Sequence, residues 1–305
     1  MVFAIALDIG GTKIETALFD HNYKIHGKER LYFKKDSSES TVNLKKKDVL
    51  NLVCNAIDIF YTDNKYQSKI YGIGISIPDV IDKKGSIVGT SKIDALSNFA
   101  LGKYLRKKYN CKVRVNNDAD CFALGEAKLG AGKGHFNVIG VIWGTGIGAG
   151  IVLNKKMYSG TTGSAGEFGH NIIDPRRPKE RNGTRGTVEA FCGGPNIVKN
   201  YKSAGGKLKN PEPKEIFLSK EKSAKKMMDN AIKHLCIGLA SLMNILNPGI
   251  IVIGGGLSNL PVYKQLNKET RKYTIDGIRK HVRIVKNKLG DSAGIYGAAV
   301  NIFDK

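Results

Sequence analysis

Apolar positions along this chain fall into short continuous runs, each released into a glycine-rich turn. Phe3 to Asp8 is an apolar run closed by an acid. Gly10-Gly11-Thr12 follows as a tight turn, and Lys13 to Phe19 resumes with Ile14, Thr16 and Leu18 in alternation. This pattern predicts strand, turn, strand. The plan recurs further on. Val138 to Trp143 predicts a strand, Gly144-Thr145-Gly146-Ile147-Gly148 a turn, and Ala149 to Leu153 the returning strand. The repeat suggests two related halves, each giving one turn to a shared phosphate site.

Between these hairpins, Ile70 to Ile77 predicts a buried strand stopped by Pro78, and Val113 to Val115 a short strand. A helix is expected from Ala119 to Leu129, with Asp118 and Asp120 at its start, where carboxylates suit exposed amides and the helix dipole. Ala224 to Leu246 predicts a long helix, with Met228, Ile232, Leu235, Leu239, Leu242 and Leu246 on one face. That stripe reads as core. Ile250 to Ile253 is a further buried strand running into Gly254-Gly255-Gly256, and Ser292 to Phe303 is a final helix.

Bulk properties narrow this picture. The 305 residues, 41% of them hydrophobic, suffice for two medium cores. No run of about 18 apolar residues offers a membrane span, and Met1 to Leu7 reads as a first strand, not a signal peptide. The cysteines, Cys54, Cys111, Cys121, Cys192 and Cys236, form no CxxC pair, which suits reduced thiols in a cytoplasmic protein. The net charge of +22 raises nucleic-acid binding. The lysines, however, spread over three loose clusters with no interleaved aromatics, so a lysine-rich surface is the simpler reading and a nucleic-acid partner is not expected.

Glycine turns let backbone amides approach phosphate oxygens. Three of them, Gly10-Gly11, Gly144 to Gly148 and Gly254 to Gly256, each follow an apolar strand. There is no G-x-x-x-x-G-K-[ST]. Gly144 to Ala149 matches G-x-G-x-x-[GA], but a dinucleotide turn must open a helix, and a strand is expected here.

Asp8-Ile9-Gly10-Gly11-Thr12-Lys13 resembles the first phosphate motif of sugar kinases in the actin/hexokinase superfamily. Asn117-Asp118-Ala119, Leu124 to Ala127, Gly144 to Gly150 and Ala165-Gly166-Glu167-Phe168-Gly169-His170 resemble the ROK family of sugar kinases and sugar-responsive repressors. Asn247-Pro248 through Gly256 resembles its adenosine-side strand and turn. The resemblance implies an α/β actin-like ATPase (ribonuclease H-like) fold, two similar α/β domains around a nucleotide cleft. The expected division is 1–118 with 291–305, and 119–290. Asp118 would be the general base. Asn117, Glu167, His170 and Glu189, with Ser76, would hold the sugar. Asp8, Gly10, Gly11, Thr12 and Lys13, Gly144, Thr145 and Gly146, and Gly254, Gly255 and Gly256 would hold ATP, Asp8 also placing Mg2+. Independently, phosphoryl transfer asks for positioning, charge neutralisation and one base near the attacking oxygen, and a carboxylate at a helix start is expected to be rigid and ionised.

The chain departs from the family in three places. Many members carry a zinc-binding C-x-C-G-x-x-G-C-x-E, where this chain has Glu180-Arg181-Asn182-Gly183-Thr184-Arg185-Gly186-Thr187-Val188-Glu189. Without thiolates a structural zinc is not expected. Asp79 stands where the family often has Gly, and Asp120 where it often has Asn. The expectation is a cytoplasmic kinase phosphorylating the 6-hydroxyl of a hexose, glucose first, with N-acetylglucosamine or fructose/mannose as alternatives. The family suggests a dimer or tetramer. A sugar-responsive regulator without catalysis is the reading from another class.

Overall fold

The computed structural model describes residues 1–33, 45–89, 91–176 and 184–304. Its core is two five-stranded mixed sheets. The first holds β1 (Phe3–Ile9), β2 (Lys13–Asp20), β3 (Ile25–Tyr32), β4 (Ile70–Ile77) and β5 (Lys112–Asn117), in the order β3-β2-β1-β4-β5. The second holds β6 (Val138–Trp143), β7 (Ile147–Leu153), β8 (Lys156–Met157), β9 (Ile250–Gly254) and β10 (Ile284–Lys286), in the order β10-β9-β6-β7-β8. Read from the hairpin side, the two orders are the same. In each, a first strand pairs antiparallel with a returning strand and parallel with a later one. The duplicated hairpin expected from the sequence is therefore a duplicated sheet.

The central strands are apolar on both faces because helices cover both sides, as parallel pairing requires. β1 and β9 carry almost unbroken buried runs. The helices are α1 (Lys46–Tyr61), α2 (Leu101–Tyr109), α3 (Asp118–Lys128), α4 (Val188–Cys192), α5 (Gly194–Ser203), α6 (Pro213–Leu218), α7 (Lys222–Leu246), α8 (Tyr263–Arg271), α9 (Asp276–Arg279) and α10 (Ala293–Phe303). α7 buries Met228, Ile232, Leu235 and Leu239 against the second sheet, as its stripe predicts.

Two helices exchange sides. α3 leaves the first sheet and packs on β6 and β7, while α10 leaves the second sheet and packs on β1 and β4. They meet where Gly297 lies against the Cys121 carbonyl and Gly125 against the Ala293 carbonyl, too close for any side chain. This contact joins the two sheets at the root of the cleft.

Local boundaries moved where hydrogen bonding overrode composition. β7 starts at Ile147, not Ala149, because Trp143 pairs with Ile147 and closes the turn to Gly144-Thr145-Gly146. β5 runs to Asn117 because β4 supplies partners that far. α3 begins at Asp118, since Asn117 caps it.

Candidate active site

Strand register assembles the acidic edge. Asp8 of β1 lies opposite Ser76 of β4, and Ser76 and Ile77 lie opposite Asn116 and Asn117 of β5. Three neighbouring strands thus present Asp8, Ser76 and the Asn117–Asp118 step at their carboxyl ends, where open α/β sheets bind ligands. Ser76 Oγ donates to Asp8 Oδ1 at 2.6 Å.

Asn117 is held by protein on both sides of its amide. Its Oδ1 accepts from the Ala119 and Asp120 amides at 2.8 and 3.3 Å, and its Nδ2 donates to the Asp79 carbonyl at 3.2 Å. It caps α3, a contribution of about 1 kcal/mol, and so sets the position of Asp118. Asp79, buried, accepts from Ser91 Oγ at 2.6 Å and from the Lys92 amide at 2.8 Å. Those bonds pin the loop after β4 beside the α3 start.

The second sheet presents turns instead of acids. The Gly144 amide donates to the Gly146 carbonyl at 3.0 Å, and the Gly194 amide to the Gly144 carbonyl at 2.8 Å. Gly255 has φ 85°, and a Cβ there would stand 2.5 Å from the Trp143 carbonyl oxygen, so only glycine fits. A Cβ on Gly144 would stand 3.7 Å from the Gly256 amide, which makes the two turns neighbours. Glu189 arrives on α4, capped by Thr187, and its Oε2 accepts from the Ile147 amide at 2.7 Å.

A cavity of about 720 Å3 lies between the two edges. It brings together Asn117, Asp118, Thr145, Gly146, Glu167, His170 and Glu189. Glu167 and His170 are neighbours, Oε2 to Nε2 3.8 Å. Asp8, Ser76, Gly10, Gly11, Thr12, Lys13, Gly144, Gly254, Gly255 and Gly256 do not line it. Gly10 to Lys13 form the β1–β2 turn, closed from the Gly10 amide to the Lys13 carbonyl at 2.9 Å. Glu180, Arg181, Asn182 and Gly183 of the cysteine-free loop lie outside the described residues. Sequence reasoning missed Lys92 and Val88, which also line the cavity. One lysine among many and one valine in a loop carry no pattern that singles them out.

Electrostatics correct one expectation. The helix start does not hold Asp118 low. Burial pushes its pKa above the ordinary carboxylate value, against the opposing pull of Lys92 and the Ala119 amide, with Asp79 adding to the rise. Asp8 is pushed up to about 6, first by burial, with Asp118 and Glu15 adding to it and Ser76 and Lys13 opposing. Desolvation outweighs dipole and amide terms when a carboxylate sits this deep.

Two duplicated sheets meeting at a cleft, with carboxylates at one edge and glycine turns at the other, define a phosphoryl-transfer class of protein. The ROK family model matches residues 4–304, so the chain belongs to the ROK family. It is 32% identical over 311 residues to N-acetyl-D-glucosamine kinase of Mannheimia succiniciproducens, covering 98% of each chain. Among solved structures it is similar to the ROK hexokinase of Thermus thermophilus (27% identity, TM-score 0.84, 98% of this chain and 97% of that one). It is also similar to a ROK glucokinase of Streptomyces griseus in complex with glucose and AMPPNP (25% identity, TM-score 0.76, 97% and 98%). The fold is that of the actin-like ATPases, as the family resemblance implied.

Proposed function

We propose that this ROK-family sugar kinase transfers the γ-phosphate of ATP to the primary, 6-hydroxyl group of a hexose held in the 720 Å3 cavity. The observation that carries this is the meeting of Asp118, Glu167, His170 and Glu189 with Thr145 and Gly146 in one cavity. Asp118 takes the proton of the attacking hydroxyl. Its raised pKa makes it a better base than a solvated carboxylate while leaving it beside Lys92. Glu189 keeps one oxygen for the sugar while the other holds the Ile147 amide. Glu167 and His170 accept and donate hydroxyl hydrogen bonds. Asn117 sets the α3 start through its cap and offers its second Nδ2 hydrogen to a sugar hydroxyl. The turns Gly10–Lys13, Gly144–Gly146 and Gly254–Gly256 offer backbone amides to the nucleotide phosphates. The halves 1–118 with 291–305 and 119–290 close over the substrates and exclude water that would waste ATP.

Asp8 fits a magnesium ion. Its carboxylate is raised first by burial and then by the charges of Asp118 and Glu15, a repulsion that a divalent cation would relieve. A magnesium ion there would be held by this one carboxylate and by substrate phosphates. When bound, it would neutralise charge on the transferred phosphoryl group.

Between sugars we place N-acetylglucosamine ahead of glucose, reversing the order read from the sequence. Val88 and Val80 give the cavity an apolar wall, and Val88 is 46% exposed to it and to solvent. An acetyl methyl has a partner there, worth about 1 kcal/mol; a glucose hydroxyl has none. The test is kcat/KM for both sugars by ADP release. A preference for the acetylated sugar that shrinks in Val88→Ser supports the reading. A preference for glucose in the native chain refutes it. No sugar-stimulated ADP release at all would shift the chain to the regulator reading.

A further inference from the structure

A second cavity, of about 480 Å3, shares Asn117 and Gly163 with the first and is built on chemistry the phosphoryl transfer does not use. Four cations line it: Lys83 and Lys84 in the loop after β4, Arg106 on α2 and Arg114 on β5. The two arginines are committed to carbonyls, Arg106 to Val113 and Lys84, Arg114 to Asp304 among others. The exposed ammonium groups of Lys83 and Lys84 make no ion pair among the described residues. Of the two carboxylates, Asp82 is held by the Lys84 and Ser86 amides, both at 2.8 Å.

Asp120 is the other. It is only 2% exposed, and its Oδ2 accepts from Ser159 Oγ at 2.7 Å. Its buried Oδ1 has no partner among the described residues. An unsatisfied buried polar atom is costly, and structures keep few without a use. Burial, with Asp118 and Glu167, pushes this carboxyl up to about 7, so near neutrality it can either accept or donate to a hydroxyl.

We propose that this cavity is a second, non-catalytic site for a phosphorylated monosaccharide, its phosphate at Lys83 and Lys84 and a sugar hydroxyl on Asp120. The volume lies within the range of small-molecule sites. The two lysines supply charge for a dianion, and the orphaned carboxylate oxygen supplies the need for a hydroxyl that a simple anion cannot meet. The site is coupled to the first cavity by α3. Asn117 lines both cavities and its Oδ1 holds the Ala119 and Asp120 amides immediately after Asp118. A ligand on Asp120 therefore bears on the turn that sets the base. Sugar phosphates are the product class of the proposed reaction, so occupancy there makes the site a feedback site. The binding claim stands without the kinase reading; only the feedback rests on it.

The test is calorimetric titration of N-acetylglucosamine 6-phosphate and glucose 6-phosphate into the full chain, with inorganic phosphate as the charge-only probe. One of the two sugar phosphates should bind, at least about tenfold tighter than inorganic phosphate. Binding should weaken by at least about tenfold in the surface pair Lys83→Ala/Lys84→Ala and in Asp120→Ala, and persist in Glu189→Gln. The lysine pair decides the matter if Asp120→Ala fails to fold. Equal binding of inorganic phosphate, or indifference to the lysine pair, overturns the proposal. In ADP-release assays the sugar phosphate should inhibit without competing with the sugar, and Lys83→Ala/Lys84→Ala should relieve it. Purely competitive inhibition unaffected by that variant overturns the feedback. Binding in a chain that releases no ADP would leave the site standing and remove the kinase reading.

Discussion

The two sheets share a strand order and differ in what their carboxyl ends carry. The first ends in acids, Asp8 on β1 and Asp118 just beyond β5. The second ends in glycines, Gly144–Gly146 after β6 and Gly254–Gly256 around the end of β9. One scaffold, used twice, thus gives one edge that can take a proton and hold a cation and one edge that can take phosphate oxygens. Burial first, then the charges of Asp118 and Glu15, raise the pKa of Asp8, a penalty that a bound cation would offset. The glycine edge is uncharged, and its constraint is steric: at Gly255 the backbone conformation and the Trp143 carbonyl leave no room for a side chain.

Each edge can be broken separately. The largest effect after loss of the base is expected at Asp8. Asp8→Asn keeps the Ser76 hydrogen bond but removes the charge, and should lower kcat by about 10²–10³-fold, with magnesium titrations showing half-saturation only at higher concentration. Unchanged kcat would take Asp8 out of the reaction. At the other edge, Gly255→Val should destabilise the chain by about 2–4 kcal/mol, read by urea unfolding, and raise the KM for ATP in whatever folds. A neutral substitution there would mean the turn has another accessible path.

A smaller effect separates charge from shape near the α3 start. Asp120 has a folded-state pKa of about 7, against 3.8 as its ordinary value. Between those values the native state binds more protons than the unfolded chain, so this group's contribution to stability falls as pH rises and stays low above 7. Asp120→Asn escapes that cost. It should melt higher than the native chain at pH 8, by about 2–6 °C for about 1–3 kcal/mol, and the gap should close toward pH 4. A gap that widens on acidification would give the shift the opposite sign. The smallest effect belongs to Val88→Ser, a few-fold change in the ratio of kcat/KM for the two sugars.

The sheet cores were legible in the sequence because their strands are buried on both faces. Val138–Trp143 is read to the residue from an unbroken apolar run, and Ile70–Ile77 from its repeated isoleucines and the Pro78 that follows. β3 was not, since Ile25–Tyr32 is an edge strand whose Lys28, Glu29 and Arg30 are exposed in succession, so neither face reads as apolar. β10 is three residues long and has no pattern to read. At the site, Gly144 and Gly255 were legible as turns, while the cap of α3 is Asn117, a residue that the family motif assigns to the sugar alone. Lys92 and Val88 were not, because their place depends on Asp79 reaching Ser91 and the Lys92 amide across the loop. The direction of the Asp118 pKa was not legible for the same reason: burial, a tertiary property, raises it where the helix start, a local one, would lower it.

The central claim is that both edges serve one reaction with Asp118 as its base. The measurement that meets it most directly is hexose-stimulated ADP release with ATP and magnesium, native chain against Asp118→Asn, a change that preserves shape and removes the base. The account predicts a kcat lower by about 10²–10⁴-fold with the KM for sugar changed only a few-fold. Stimulation that survives in Asp118→Asn with native kcat would contradict it.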